Sequence, residues 1–353
     1  MQEIDPLAFG SIFVSAGLKK LLALSIMTFM TRGFWDKLPR PFFALAPMYD
    51  VTDAAFRRII AKYGKPDIFY TEFTSTDGLQ SVGREKLIHN LWFDESERPI
   101  VAQVFGAKPE KFLQTAQLVR ELGFDGIDIN MGCPDKNIIK GGSCAALFRT
   151  PDLAKEIILA TKAGAGDMPV SVKIRIGDTK IDWQPWIAKL LEAEPVAIAI
   201  HLRTRKEMSK VPAHWELMPE IVKFIHEQTI KETRPLVMGN GDIETVAEAT
   251  VKAQETGVDG VMIGRGIFGN PWLFSKSGEE PSLEERLRVL LEHTKLYEEL
   301  FRNIKHFDIM KRHFKAYVAG FENVAELRTK LYETRSYAEV ETLINEFLKN
   351  LSN

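Results

Sequence analysis

Eight short apolar runs, Phe43–Pro47, Asp67–Thr71, Ile100–Phe105, Gly126–Asn130, Val170–Ile174, Val196–His201, Leu236–Asn240 and Gly260–Gly264, alternate with stretches of helical periodicity, and this alternation constrains the fold more than any other feature. Strands buried on both faces by crossover helices read as continuous apolar runs rather than as alternating ones. Between them, Asp53–Tyr63 carries Ala55, Phe56, Ile59, Ile60 and Tyr63 on one face, and Lys108–Leu122 and Asp152–Thr161 are likewise amphipathic. Eight such units predict an α/β chain built as a TIM (β/α)8 barrel. An open doubly wound sheet is disfavoured, because no Gly-x-Gly-x-x-Gly opens the first helix and polar residues recur at nearly every strand end.

The 353 residues, 45% of them hydrophobic, are enough for a barrel and a smaller second domain. After Gly278-Glu-Glu-Pro281 the pattern becomes wholly helical: Ser282 is an N-cap with Glu285 as its box partner, Leu283–Phe301 has helical spacing, and a second helix is expected from Phe307 to Ala319. The predicted organisation is residues 1–33 as an extension, disordered or a loosely docked helix, 34–278 as the barrel, and 279–353 as a small all-helical C-terminal domain. Leu7–Phe29 is apolar, but Lys19 and Lys20 split it below spanning length, and Glu3 and Asp5 are the opposite of a basic signal-peptide start. Met27 and Met30 leave a later start open. No membrane role is expected. Two cysteines, Cys133 and Cys144, exclude a disulfide framework and offer no zinc spacing, which suits a reducing cytoplasm and predicts no metal. A net charge of -2 means that nucleic-acid binding would need a local basic patch.

Polar groups recur where the strands end: Ala46-Pro47-Met48, Glu72, Gln103, Asn130 with Cys133, Lys173 with Arg175, His201 with Arg203, Asn240-Gly241-Asp242 and Gly264-Arg265-Gly266. In a barrel these ends meet at one face, where active sites lie. The last two groups follow the seventh and eighth strands, the usual phosphate-binding loops, with glycines admitting backbone amides to an anion and Arg265 supplying charge. A phosphorylated cofactor is therefore expected.

Ala46-Pro-Met48 with Thr52-Asp53, Asp128-Ile-Asn-Met-Gly-Cys-Pro134, Gly141-Gly142, Val172-Lys-Ile-Arg175, His201-Leu-Arg-Thr-Arg205 with Trp215, Asn240-Gly-Asp242 and Gly264-Arg-Gly266 resemble the tRNA dihydrouridine synthases. The resemblance runs from about residue 34 to residue 335, and Met310–Gly320 with Ala325-Glu-Leu-Arg328 is similar to that family's helical RNA-binding domain. It implies FMN, reduced by NADPH or NADH, and a tRNA uridine as substrate. A monomer with no obligate protein partner is expected.

The same resemblance implies the residue roles. Hydride addition at uracil C6 leaves charge to be quenched by a proton at C5, and Cys133 is the acid by position. An unperturbed thiol, with a pKa near 8.5, is mostly protonated at neutral pH and suits that task. Asn130 would hydrogen-bond the uracil edge or the flavin. Lys173 and His201 would stabilise the reduced ring's anion, Gln103 would meet the isoalloxazine edge, and Ala46, Pro47 and Met48 would pack on it. Arg175, Arg203 and Arg205 either meet RNA phosphates or form structural ion pairs. Lys136 and Lys140 either touch the tRNA backbone or are solvated. Cys144, where the family usually has a small residue, is expected to be buried and inert. Lys311, Arg312 and Lys315, among Phe314 and Tyr317, form the basic patch for tRNA. Two other classes stay open: a flavin TIM-barrel dehydrogenase acting on a free pyrimidine, and a non-catalytic tRNA-binding protein.

Overall fold

The computed structural model describes residues 32–275, 281–321 and 324–351. Eight parallel strands follow one another around a barrel: β1 (Phe42–Leu45), β2 (Phe69–Tyr70), β3 (Ile100–Phe105), β4 (Gly126–Asn130), β5 (Val170–Arg175), β6 (Ala197–His201), β7 (Leu236–Asn240) and β8 (Gly260–Ile263). Each pairs with its chain neighbour, β8 pairs with β1, and a bridge from Ala44 to Ile68 joins β1 to β2 and closes the ring. A further short strand, Thr74–Ser75, lies beside the end of β3. The first and last expected strands begin or end a residue or two away from the observed ones, and the second shrinks to two residues because Asp67 and Ile68 bond β1 outside the regular ladder.

The crossover helices are α1 (Ala54–Tyr63), α2 (Pro109–Glu121), α3 (Pro151–Ala165), α4 (Trp183–Leu191), α5 (Met218–Gln228) and α6 (Val246–Thr256). Asp53 caps α1 by accepting the Phe56 amide, and Pro at the first turn of α2 and α3 occupies a place where its missing N–H costs nothing. Their apolar faces pack on the outside of the strands, while Phe42, Ala44, Tyr70, Val101, Ala199, Met238 and Met262 fill the inside. Trp35, from the turn Gly33–Lys37, joins the inner cluster beside Phe42. The expected character of residues 1–31 lies outside the described residues, as does the expected boundary at Gly278.

Among the described residues four helices follow: α7 (Leu283–Phe301), α8 (Lys311–Tyr317), α9 (Ala325–Glu333) and α10 (Tyr337–Leu351). The Ser282 and Glu285 capping box starts α7 as the sequence predicts. The expected helix Phe307–Ala319 is instead a 3-10 turn over Phe307–Met310 running into the seven residues of α8. Leu287, Leu290, Phe301, Phe314, Leu331 and Ile344 form one core, which also takes in Ala54, Ala55 and Ile59 of α1. Barrel and helical unit thus share α1, one face turned to each. Among the described residues no helix is long and apolar enough to cross a membrane.

Candidate functional site

The register of the strands aligns the polar residues before any loop contributes. Gln103 lies opposite Asp128, Asn130 opposite Lys173, Arg175 opposite His201, and His201 opposite Asn240. These residues sit at or next to the C-terminal ends of β3 to β7, beneath a cavity of about 840 Å³. Its wall includes Ala46, Pro47, Met48, Asn130, Cys133, Lys173, Arg175, His201 and Arg203, together with Asn240–Thr245 and Gly264–Gly266. A volume of this order suits a drug-sized ligand or cofactor.

The turn after β4 is tightly held. The Asn130 carboxamide oxygen accepts from the Gly132 amide at 3.0 Å and the Cys133 amide at 2.9 Å, and Arg175 Nε donates to the Gly132 carbonyl at 2.7 Å. Arg175 also donates to the Thr204 carbonyl at 3.1 Å. Cys133 therefore enters the cavity from a fixed backbone. Its thiol does not have the ordinary acidity expected from sequence: a hydrogen bond from the Cys144 thiol, with the Asp135 backbone amide and the Arg175 charge assisting and burial opposing, lowers it to about 7. Burial first, and then its bond to Cys133, pushes the Cys144 thiol well up.

Gln103 is fully buried and is not in the cavity wall. Its carbonyl accepts from Asn130 Nδ2 at 2.9 Å and its amide donates to Asp128 at 2.7 Å, so in this structure it orients Asn130. Asp128 also accepts from the Ser171 hydroxyl at 2.6 Å, and burial raises its carboxyl. Sequence reasoning quoted Asp128 only as part of a motif. An acid inside a continuous apolar strand was the available signal, since a buried carboxyl needs partners. The loop residues Phe73, Met208, Ser209, Glu244, Thr245 and Phe268 also line the cavity, and no periodicity marked them.

Lys173 donates to the Asn240 side chain at 3.0 Å, and burial, then the Arg175 charge, lowers it to about 8. Burial likewise drives His201 well below its ordinary value, with Lys173, Arg175, Arg203 and Arg265 adding to the effect. The ring is neutral at pH 7, and Arg203 Nη1 lies 3.3 Å from its Nε2. A guanidinium can only donate, so this contact leaves the proton on Nδ1. Asp242 sits between Arg203 and Arg265, the latter at 2.7 Å. Burial opposes ionisation there, but the two guanidiniums and the Ala213 amide hold its carboxyl below the usual range. Two guanidiniums thus flank one carboxylate at the loops after β7 and β8, where Glu244 also lines the cavity. Gly241, at φ +135, is required there, because a Cβ would meet the Ala213 side chain at 2.7 Å.

Lys311, Arg312 and Lys315 are not brought to the cavity. Lys311 pairs with Asp308 at 2.7 Å, and Arg312 meets Asp50 at 3.6 Å and the Tyr49 carbonyl at 3.3 Å. Lys315 is exposed and forms none of the described ion pairs. Lys305, which sequence reasoning did not single out, does reach the barrel: it lies 2.8 Å from buried Glu72, whose other oxygen accepts the Asp50 amide at 2.6 Å. Arg205 pairs with Asp178, as does Arg149.

Residues 44–352 match the family described as Dihydrouridine synthase (Dus). A "Probable tRNA-dihydrouridine synthase" of Staphylococcus aureus (strain MRSA252) is 45% identical over 321 residues, 90% of this chain and 96% of that protein. A "Probable tRNA-dihydrouridine synthase 2" of Bacillus subtilis (strain 168) is 44% identical over 321 residues, 90% of this chain and 97% of that protein. Among solved structures, histamine dehydrogenase from Rhizobium sp. 4-9 aligns with a TM-score of 0.51 at 14% identity, covering 72% of this chain and 48% of that one. That likeness is one of fold.

Proposed function

The chain belongs to the dihydrouridine synthase family, and on that premise we propose that it reduces a uridine of tRNA to dihydrouridine, with FMN as cofactor and NADPH or NADH as reductant. The observation that carries this reading is that Cys133 and the two glycine-containing loops after β7 and β8 line one cavity. A proton donor, two guanidiniums and space for a flat ring are thereby together.

The residues fit a flavin phosphate. Arg203 and Arg265 flank Asp242 and can donate to an anion there, and Asn240-Gly241-Asp242 with Gly264-Arg265-Gly266 surround that corner. Ala46, Pro47 and Met48 form an apolar side of the cavity on which a ring can pack. Lys173 and neutral His201 supply donors for a ring anion, and Gln103 acts on the cavity through Asn130. The bound flavin, once reduced, supplies the hydride for C6 of the uracil.

This chain's own part is proton delivery and orientation. Cys133 gives its proton to C5, and the resulting thiolate is held by the Asp135 amide and the nearby Arg175 charge. Asn130, fixed by Gln103, hydrogen-bonds the uracil edge with what its carboxamide leaves free. Arg175 and Arg203 favour the polyanionic substrate from the wall, by field rather than by free side-chain ends. Lys311, Arg312 and Lys315 meet the tRNA backbone, and the protein acts as a cytoplasmic monomer.

Mapping dihydrouridine in tRNA from cells with and without this protein tests the proposal. One or more positions should revert to uridine when it is absent. An unchanged map, together with turnover of free uracil or orotate by the purified yellow protein, would replace it with a free-pyrimidine dehydrogenase.

A further inference from the structure

The turn after β1 is held from several sides, yet it leaves one aromatic ring in solvent. Thr52 closes it, donating its amide to the Met48 carbonyl at 3.0 Å and accepting the Met48 amide on its hydroxyl at 2.9 Å. Asp50 stands at φ +53, a left-handed conformation that a non-glycine residue keeps only where its surroundings over-determine it. Those surroundings include buried Glu72, which accepts the Asp50 amide at 2.6 Å and meets Lys305 of the helical unit at 2.8 Å. Tyr49, within this braced turn, is nonetheless 55% exposed. Its ring lies against Phe73, with centroids 5.8 Å apart at 41°, and Phe73 in turn meets Phe105 edge-on at 5.7 Å. Phe73 lines the cavity that holds Cys133. On the other side, the Tyr49 carbonyl accepts from Arg312 of α8 at 3.3 Å. Tyr49 therefore stands between the cavity and the basic helix.

We infer that Tyr49, seated on Phe73, is the stacking platform for a nucleobase next to the uridine being reduced, an inference that rests on the proposed function. Reduction requires that uridine to leave its neighbours and lie in the cavity, which strips a stacking partner from the base beside it. A fixed aromatic face at the rim returns that partner, and any base can use it, since every base has a π-face. The corner offers a ring rather than a charge: its carboxylates, Asp50 and Glu72, are matched by Lys305 and Arg312. A singly exposed hydrophobic residue is ordinary on a protein surface. Here the exposed ring rests on one that lines the cavity, in a turn that both units of the protein hold still.

The test uses the flavin-loaded protein, reduced beforehand, and tRNA from cells lacking it, with Tyr49→Phe, Tyr49→Leu and Tyr49→Ala beside the wild type. Flavin reoxidation is followed by stopped-flow absorbance against tRNA concentration. Stacking acts alike on bound substrate and transition state, so Tyr49→Ala should raise the half-saturating tRNA concentration about tenfold and leave the limiting rate within about twofold. Tyr49→Phe should stay near the wild type, and Tyr49→Leu, which keeps apolar bulk without a π-face, should resemble the alanine variant. The log–log salt slope of tRNA binding should be the same in every variant, because no phosphate contact is lost. Flavin content and reduction by NADPH, which precede contact with tRNA, report that the variants are folded. An unchanged tRNA dependence in Tyr49→Ala, a leucine variant as good as the phenylalanine one, a changed salt slope, or a fall in the limiting rate alone overturns the inference. Those outcomes leave the proposed function standing. A wild type whose flavin no tRNA reoxidises overturns that function, and this inference with it.

Discussion

At the mouth of the barrel, Lys173, Arg175 and Arg203 are largely buried and bonded to Asn240, to backbone carbonyls and to Asp242, whereas in the helical unit Arg312 and Lys315 stand in solvent. Two of these buried cations have lowered pKa values, about 8 for Lys173 and about 10 for Arg175, and burial is the first cause in both. Chemistry on a flat ring requires groups held in advance at known places, which burial and mutual bonding provide. Attraction of a polyanion requires only charge near a surface, and it is screened by salt. The two regions are nonetheless mechanically joined, through the shared helix α1 and through Lys305, which crosses from the helical unit to Glu72 at the barrel mouth.

The largest effect expected on either side of this comparison is at Cys133. In Cys133→Ala, reduction by NADPH should stay near normal while turnover of tRNA by the pre-reduced protein slows by about two to four orders of magnitude, as for loss of a positioned general acid. Stopped-flow absorbance separates the two half-reactions. Loss of the first would mean that Cys133 organises the cofactor site instead.

Next in size is the junction of the two regions, where His293 and His313 are fully buried with ring centroids 4.7 Å apart. Burial holds His313 at about 3 and His293 well below its usual value. Because both pKa values are lower folded than unfolded, the unfolded chain binds more protons below about pH 6.5, and stability falls as pH drops from there toward about 3. Each histidine contributes up to ~1.4 kcal/mol per pH unit inside that window. Asp53, raised to about 6 by burial and by Glu72, works in the opposite direction and makes the difference between variants the useful quantity. Urea denaturation at pH 7, 6 and 5 should give a shallower acid loss for His313→Phe than for the wild type. Equal slopes would deny that this histidine is buried neutral at the junction.

A smaller effect is expected at Arg265, which is exposed although it belongs to the mouth. Arg265→Ala should weaken flavin retention by roughly tenfold, since one charged hydrogen bond is removed while Arg203 keeps Asp242 paired. Equilibrium dialysis of the yellow protein measures it. Unchanged retention would move the phosphate away from this corner.

The smallest effect belongs to the helical surface. Neutralising Lys311, Arg312 and Lys315 should reduce the log–log salt slope of tRNA binding by about one unit for each phosphate that is no longer neutralised. Lys311 and Arg312 already have carboxylate partners, so the expected reduction is nearer one unit than three, about fourfold in affinity between 50 and 200 mM salt. A reduction of three units would show that both pairs open on binding. An unchanged slope would return the stretch to an ordinary solvated face.

Much of this was legible along the chain. The eight apolar runs coincide with eight strands because each strand is covered on both faces and cannot alternate. The Ser282 box, the strand-end groups and the cysteine after β4 were legible for the same reason, being set by neighbours in sequence. Gln103 was not, since whether a glutamine at a strand end faces a ligand or a neighbour depends on Asp128 and Asn130 in the adjacent strand. Nor were Lys305 and Glu72, a pair separated by 233 residues. Cys144 was read as buried from its apolar neighbours, and it is fully buried, with burial pushing its thiol well up.

The sequence by itself determined the order and kind of elements, the end of the barrel that would be polar, and the family, because periodicity, caps and motif spacing are local properties. Tertiary structure alone decided which polar groups face the cavity and which face one another, and how acidic each is. Those depend on strand register, on burial and on the approach of residues far apart in the chain, and a guanidinium beside Asp242 exists only once the barrel has closed.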